Sequence, residues 1–206
     1  RPEFLRQVER RLRQAGALLI ADEVLMGFGR SGSLFASHRA GLQPDLMALS
    51  KGLTGGFLPM GVTLASERIH AGFIGTDPQL TLYHGHSYTA NPLGCAAALA
   101  SLDLLEAHPE RYQMMEARHQ PRLEALARHP AVRHPRLLGG IAAFDLAVSQ
   151  PGYLNPAGQR LKQRLLAEGV FLRPLGDVVY LMPPLCIHDD ELDHCYSALR
   201  QALDEL

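Results

Sequence analysis

The stretch LLIADEV, residues 18–24, is a short apolar run that stops on two acids. A second run, LSKGLTGG at residues 49–56, stops on a single lysine beside a cluster of glycines. Continuously apolar runs of this length are typical of strands buried on both faces of a parallel sheet. PDLMALS (44–50) and MGVTLAS (60–66) read as two further strands. Upstream, PEFLRQVERRLRQAG (2–16) places Leu5, Val8 and Leu12 on one helical face and halts at Gly16. The rhythm of helix, strand, loop and strand predicts an α/β architecture, a mostly parallel sheet with helices on both faces.

Further along, NPLGCAAALASLDLLEAH (91–108) reads as a long Ala/Leu helix, and beyond it the texture changes. An Arg/Glu-laced helical region near 109–129 is followed by a strand IAAFDLA (141–147) and the extended segments VFLRP (170–174) and DVVYLMP (177–183). A final helix from Asp189 carries Leu192, Cys195, Tyr196, Leu199 and Leu203 on one face, with acids in its first turn that suit the helix dipole. We therefore expect two domains, an α/β part over residues 1–108 and a small α+β domain over 109–206.

Composition narrows the function. The chain has 206 residues, 47% hydrophobic and 20% charged, an ordinary globular balance with ample material for a core. A net charge of −1 offers no field for nucleic acid or an anionic membrane. No apolar stretch approaches the ~18 residues a membrane span needs. Cys95, Cys186 and Cys195 are odd in number and widely spaced, which argues for free thiols in a reducing compartment such as the cytoplasm. The chain opens at Arg1 directly into a helix and reads as a piece of something longer.

Two motifs compete for attention and are set aside. Gly27-Phe28-Gly29-Arg30-Ser31-Gly32 matches G-x-G-x-x-G, the dinucleotide-binding loop. That fingerprint needs a full helix after the third glycine and an acid closing the next strand. Here the following segment is cut at Gly41, and Asp45 precedes its strand. His84-Gly85-His86 suggests a metal, but no third ligand stands at a useful spacing, so a turn is the better reading. No metal is expected.

Asp22 and Lys51 gain meaning as a pair. Each closes a predicted parallel strand, the end at which open α/β sheets bind ligands. Both are followed by glycines that let a ligand approach the backbone closely. A lysine desolvated in such a crevice becomes an amine able to bond a carbonyl carbon covalently. A carboxylate beside it can hold a heterocyclic nitrogen protonated. A covalent lysine and an acid on a pyridinium nitrogen are what pyridoxal phosphate requires.

LLIADEVLMGFGRSG, PDLMALSKGLTGGFLPMG and HGHSYTANPLGCAAALASL, in that order, resemble the successive signatures of class III (ω-type) aminotransferases, enzymes of pyridoxal-phosphate fold type I. The likeness runs over essentially the whole chain. It implies that residues 1–108 are the C-terminal part of the large cofactor-binding domain and 109–206 the small C-terminal domain. It further implies that Asp22 contacts the pyridine nitrogen, Val24 packs on the ring, and Lys51 carries pyridoxal 5'-phosphate. Ser87 would bind the cofactor phosphate of the neighbouring subunit, in a homodimer with shared active sites.

VFLRPLGDVVYLMPPLCI (170–187) is similar to the biotin-pathway branch of the family. That likeness implies an oxo-acid acceptor whose carboxylate pairs with Arg173, with Tyr180 close by, and a small-molecule amino donor, S-adenosylmethionine or lysine. A guanidinium suits a carboxylate through its bidentate fork. The family's members are roughly twice this length, a size expected of a large domain plus a small one. Two readings follow: a transaminase acting as part of a longer or split chain, in this branch or another of class III, and a non-catalytic remnant that still dimerises.

Overall fold

The computed structural model describes residues 1–206, which divide into two compact units, Arg1–Pro109 and Glu110–Leu206. The first begins with helix α1 (Pro2–Gln14), started by a proline in its first turn and followed by Gly16 at φ +69°. Strand β1 (Ile20–Asp22), the five-residue helix α2 (Ala36–Ala40) and strand β2 (Leu46–Leu49) come next. A 3-10 turn (Lys51–Thr54) leads to strand β3 (Val62–Ala65), helix α3 (Glu67–Ala71) and the long helix α4 (Pro92–Ala107). The sheet order is β1-β2-β3.

β1 and β2 run parallel in a register that sets Asp22 opposite Ala48, whereas β3 returns antiparallel, with Leu49 opposite Val62. The sheet is therefore mixed. The chain between β2 and β3 holds one 3-10 turn and four glycines, which reverses direction but lacks a helix for a parallel crossover. Coverage of both faces, expected from the apolar runs, is not what this chain shows. Met47 and Leu49 are buried with Phe28, Leu53 and Ala98, while Leu46 and Ala48 on the opposite face are half-buried. Ile20 is 63% exposed, because β1 is the edge of the sheet. On α4 only Gly94 and Ala98 are buried, and Leu93, Leu99 and Leu104 stand exposed.

The second unit packs three longer helices against an antiparallel sheet of order β4-β5-β6. After the single turn α5 (Glu110–Gln113) and helix α6 (Met115–Leu126), strands β4 (Val132–Leu138) and β5 (Ile141–Leu146) form a hairpin. Helix α7 (Ala157–Ala167), strand β6 (Val178–Leu181) and helix α8 (Asp189–Asp204) complete it. Alternation is clean: Ala142, Phe144 and Leu146 of β5 and Val179 and Leu181 of β6 enter the core, and their neighbours do not. Leu161, Leu165, Leu192 and Leu199, all fully buried, cover that face from α7 and α8. VFLRP does not join the sheet as expected: Pro174 has no N–H to donate, and only Leu175 bridges to Val178.

A polar pair lies in this core. His119 of α6 is wholly buried, and its Nδ1 shares a 2.8 Å hydrogen bond with the Tyr196 hydroxyl of α8, while Nε2 has no partner. Burial, reinforced by the charges of Arg118 and Arg122, pushes the imidazole down to about 4. The folded state thus holds His119 neutral, and the unfolded chain takes up the proton first as pH falls below the ordinary value of ~6.5. Its contribution is full above that pH, declines through the window, and levels off near the folded value. Urea titrations at pH 6.5 and 4.5 should show a loss of about 2 kcal/mol in the wild type that shrinks in His119→Gln. Equal losses in the two proteins would remove His119 as the cause.

Candidate active site

The apolar residues Ile20 and Ala21 bring the chain in as a strand, and its end separates the two acids. Glu23 extends the ladder by one bond, its N–H donating to the Ala48 carbonyl at 3.0 Å. Its side chain is 2% exposed and accepts from the Ala36 and Ser37 amides, 3.1 and 2.7 Å away. Glu23 is thus the cap that α2 lacks from its own N-terminal residue, Phe35. Asp22 is exposed, and one carboxylate oxygen accepts the Val24 amide at 3.0 Å, a local turn that fixes the side chain. Val24 itself is half-buried.

GFGRSG is a packing loop. Phe28 stands in the left-handed region at φ +62°, and its amide and that of Gly29 donate to the Leu34 carbonyl at 2.7 and 3.2 Å. The ring is 4% exposed and lies so close to Gly52 that a Cβ there would come within 2.8 Å of the Phe28 Cβ. The helix that follows has only five residues, so the dinucleotide-loop reading finds no support in the geometry.

Lys51 opens the turn that Gly52 makes possible. It occupies φ +45°, a conformation that costs a lysine of order 1 kcal/mol and persists only when its surroundings over-determine it. Three hydroxyls do so. Ser50 Oγ donates to the Met60 carbonyl at 2.6 Å, Thr54 Oγ1 to Leu58 at 2.6 Å, and Ser101 Oγ, reaching down from α4, to Gly52 at 3.0 Å. Leu53 and Thr54 are buried, and the turn closes with the Gly56 amide on the Lys51 carbonyl at 3.2 Å. The side chain of Lys51 projects into solvent and makes no hydrogen bond or ion pair within the chain. Its Cα is held, and its amine is free.

An exposed acid at the end of β1 and a partnerless amine just past the end of β2, three residues beyond the position facing Asp22, fit a group that needs both. Ser87 lies in a segment from 71 to 90 whose every residue is exposed. There His86 accepts the Tyr88 amide at 3.2 Å and the Thr89 hydroxyl donates to the His86 carbonyl at 2.9 Å, so this His pair serves a turn. Asn91 then caps α4, accepting the Gly94 amide at 2.7 Å. Of the four non-glycine residues at positive φ, Phe28, Lys51 and Ala90 fall one in each of the three quoted signature segments.

In the second unit Arg173 is exposed and partnerless, and Tyr180 sits half-buried on β6. They occupy the two arms of one turn. With the Leu175–Val178 bridge as reference, Arg173 and Tyr180 stand at matching positions across it. The residues that build these frames, Glu23, Ser50, Thr54 and Ser101, were not singled out by sequence reasoning. A buried acid following an exposed one on a strand is the only local signal for Glu23.

Residues 1–203 match aminotransferase class III, and the chain belongs to that family, whose cofactor is pyridoxal 5'-phosphate. It is 56% identical over all 206 residues to an adenosylmethionine-8-amino-7-oxononanoate aminotransferase of Synechococcus elongatus, covering 49% of that protein. The solved structure of the enzyme of that name from Methanocaldococcus jannaschii superposes with a TM-score of 0.87 at 34% identity, over 96% of this chain and 48% of that one. An amine transaminase from an uncultivated Pseudomonas species, solved with pyridoxal phosphate bound, gives 0.89 at 35% identity, over 99% of this chain and 48% of its own. The chain spans about half the length of the curated relatives it matches.

The Phe28–Gly52 contact generates a test of the frame. Gly52→Ala should lower stability by about 1–3 kcal/mol, as overpacking does. Combined with Phe28→Gly, its further cost should shrink, since both the Cβ and the ring it strikes are gone. Full additivity in chemical denaturation would show that Phe28 does not support the lysine turn.

Proposed function

We propose that the protein to which this chain belongs transfers an amino group to 8-amino-7-oxononanoate, giving 7,8-diaminononanoate for biotin synthesis. The single observation that carries the reading is Lys51: a free amine on an over-determined, left-handed backbone at the end of a strand paired parallel to the one that closes on Asp22. Pyridoxal phosphate, held covalently through Lys51, supplies an electron-withdrawing ring on which an amino group can be exchanged. Asp22 keeps the proton on the ring nitrogen, and Val24 packs against the ring. Ser87, offered from an exposed segment, donates its hydroxyl to the phosphate of a second copy, so the working form is a homodimer with shared sites. Arg173 grips the acceptor's carboxylate with Tyr180 beside it, and S-adenosylmethionine is the amino donor. The cytoplasm is the place of action.

The assignment of domains follows: residues 1–108 supply the lysine-bearing part of the large domain and 109–206 the small one. Reductive trapping tests the reading directly. In a full-length chain carrying these residues, borohydride treatment in the presence of pyridoxal phosphate, followed by peptide mapping, should label Lys51, and Lys51→Ala should abolish the label. A label on Lys162 instead, or no label at all, would overturn the assignment.

The anchor is tested separately. Losing a charge-assisted bidentate contact should cost about 1.5–3 kcal/mol, or roughly 10- to 150-fold in kcat/KM. Single-turnover spectroscopy of Arg173→Ala should place that loss on the acceptor half-reaction and largely spare the donor half, unless the donor's own carboxylate uses the same arginine. An unchanged acceptor half-reaction would exclude Arg173 as the anchor and weaken the biotin-pathway reading against other class III aminotransferases.

A further inference from the structure

The turn that separates Arg173 from Tyr180 is pinned with unusual thoroughness. Leu175 and Val178 exchange both backbone hydrogen bonds, at 2.9 and 3.1 Å, leaving Gly176 and Asp177 at the tip. Gly176 lies at φ +64°, where a side chain would be strained. A Cβ on it would also run into the Gly152 carbonyl and come within 2.6 Å of the Tyr153 Cα. On the other side, a Cβ on Gly158, in the first turn of α7, would run into the Gly176 carbonyl and lie 2.7 Å from the Pro174 Cβ. Three backbone segments therefore meet with no side chain between them. Asp177, 6% exposed, completes the clamp: its carboxylate accepts the Gly152 amide at 2.7 Å and its carbonyl accepts the Leu146 amide at 2.8 Å.

Apart from Asp177, the turn so held buries little of its own. Leu175 is 48% exposed and Arg173 has no partner to fix its side chain. The reach of the guanidinium is decided by where its Cα stands, and that position lies one proline away from the clamp. Pro174 adds its own constraint, holding Arg173 in an extended conformation. Bidentate recognition of a carboxylate tolerates displacements of only ~0.5 Å and ~10–20°.

We propose that the clamp formed by Gly152, Gly158, Gly176 and the Asp177 carboxylate is a positioning device for Arg173, so that Gly158 and Asp177 govern selection of a carboxylate-bearing acceptor without touching it. This inference rests on the reading of Arg173 as the carboxylate anchor. A cradle that served stability alone would affect both substrates alike. A cradle that positions Arg173 affects only the one that arginine holds.

The test uses the full-length protein loaded with pyridoxal phosphate, with Gly158→Ala, Asp177→Ala, Asp177→Asn, Arg173→Ala and the Gly158→Ala/Arg173→Ala double variant. Two quantities are read: the KM and kcat of each half-reaction, and the Kd of nonanoate, an unreactive carboxylate of the acceptor's length, measured by calorimetry. Gly158→Ala and Asp177→Ala should raise the acceptor KM and the nonanoate Kd by about 10-fold or more, in line with the cost of ~1 Å misplacement. The donor half-reaction should stay within about twofold, and Gly158→Ala should add nothing in the Arg173→Ala background. Asp177→Asn keeps an oxygen for the Gly152 amide and should recover much of what Asp177→Ala loses. Should Gly158→Ala fail to fold, the two Asp177 variants decide. Equal losses in both half-reactions, or a loss that persists without Arg173, would overturn the proposal. If Arg173→Ala weakens nonanoate binding and the clamp variants do not, this inference alone falls. If Arg173→Ala itself changes nothing, the anchor reading falls with it.

Discussion

The parallel pairing of β1 with β2 is the constraint on which the first unit depends. Because the ladder continues one residue past β1, through the Glu23 amide and the Ala48 carbonyl, the side chains of Asp22 and Glu23 must leave on opposite sides. One acid is thereby spent inside, capping α2, and the other is delivered outward at the strand end where a ligand would lie. The same register brings Phe28 under Gly52 and so shapes the turn that opens at Lys51. A slip of one residue would exchange the roles of the two acids, exposing an uncapped helix and burying a carboxylate with no donors.

How much of this was legible in the residues follows from which signals are local. Asp22 and Lys51 could be read because apolar runs that end on a charge are visible without any partner, and their shared position at strand ends needs only topology. The final helix was equally plain, its apolar spacing carrying Leu192, Tyr196, Leu199 and Leu203 into the core. Other features depend on contacts distant in the chain. β4 escaped notice because it holds Pro135 and three basic residues, which look unlike a strand. It works as an edge strand with a register shift between Arg133 and Arg136, where His134 at φ +47° and Pro135 drop out of the ladder. VFLRP misled in the opposite sense: Val170 and Leu172 are buried as a strand's residues would be, yet the proline beside Arg173 keeps the segment out of the sheet. Nor does any local pattern announce that Ser101 will reach back 49 positions to Gly52.

The α6–α8 contact and the lysine turn are held by different chemistry. The ends of α6 and α8 are joined by ions: Arg118 and Arg122 meet Asp189 at 3.0 and 3.2 Å, and Arg122 meets Asp193 at 2.6 Å. These contacts hold the Asp189 carboxyl below the ordinary carboxylate range, chiefly through its hydrogen bond with Arg118. His119 and Tyr196 lie buried on the same two helices, so acid and salt act there together. Exposed pairs of this kind contribute little singly. Their geometry, with one arginine serving two carboxylates, favours the orientation of the helices more than their stability.

The lysine turn is built on the opposite plan. Ser50, Thr54 and Ser101 each give a hydroxyl proton to a backbone carbonyl, and Gly52 meets an aromatic ring. Not one member of that frame carries a charge or changes its protonation in ordinary conditions, so the frame is electrically silent. A charged ligand can approach the exposed amine while the backbone beneath it has nothing to respond with. Counter-ions and buffer pH reach the exposed side chain without reaching its support, and the turn keeps one geometry whatever charge gathers around it.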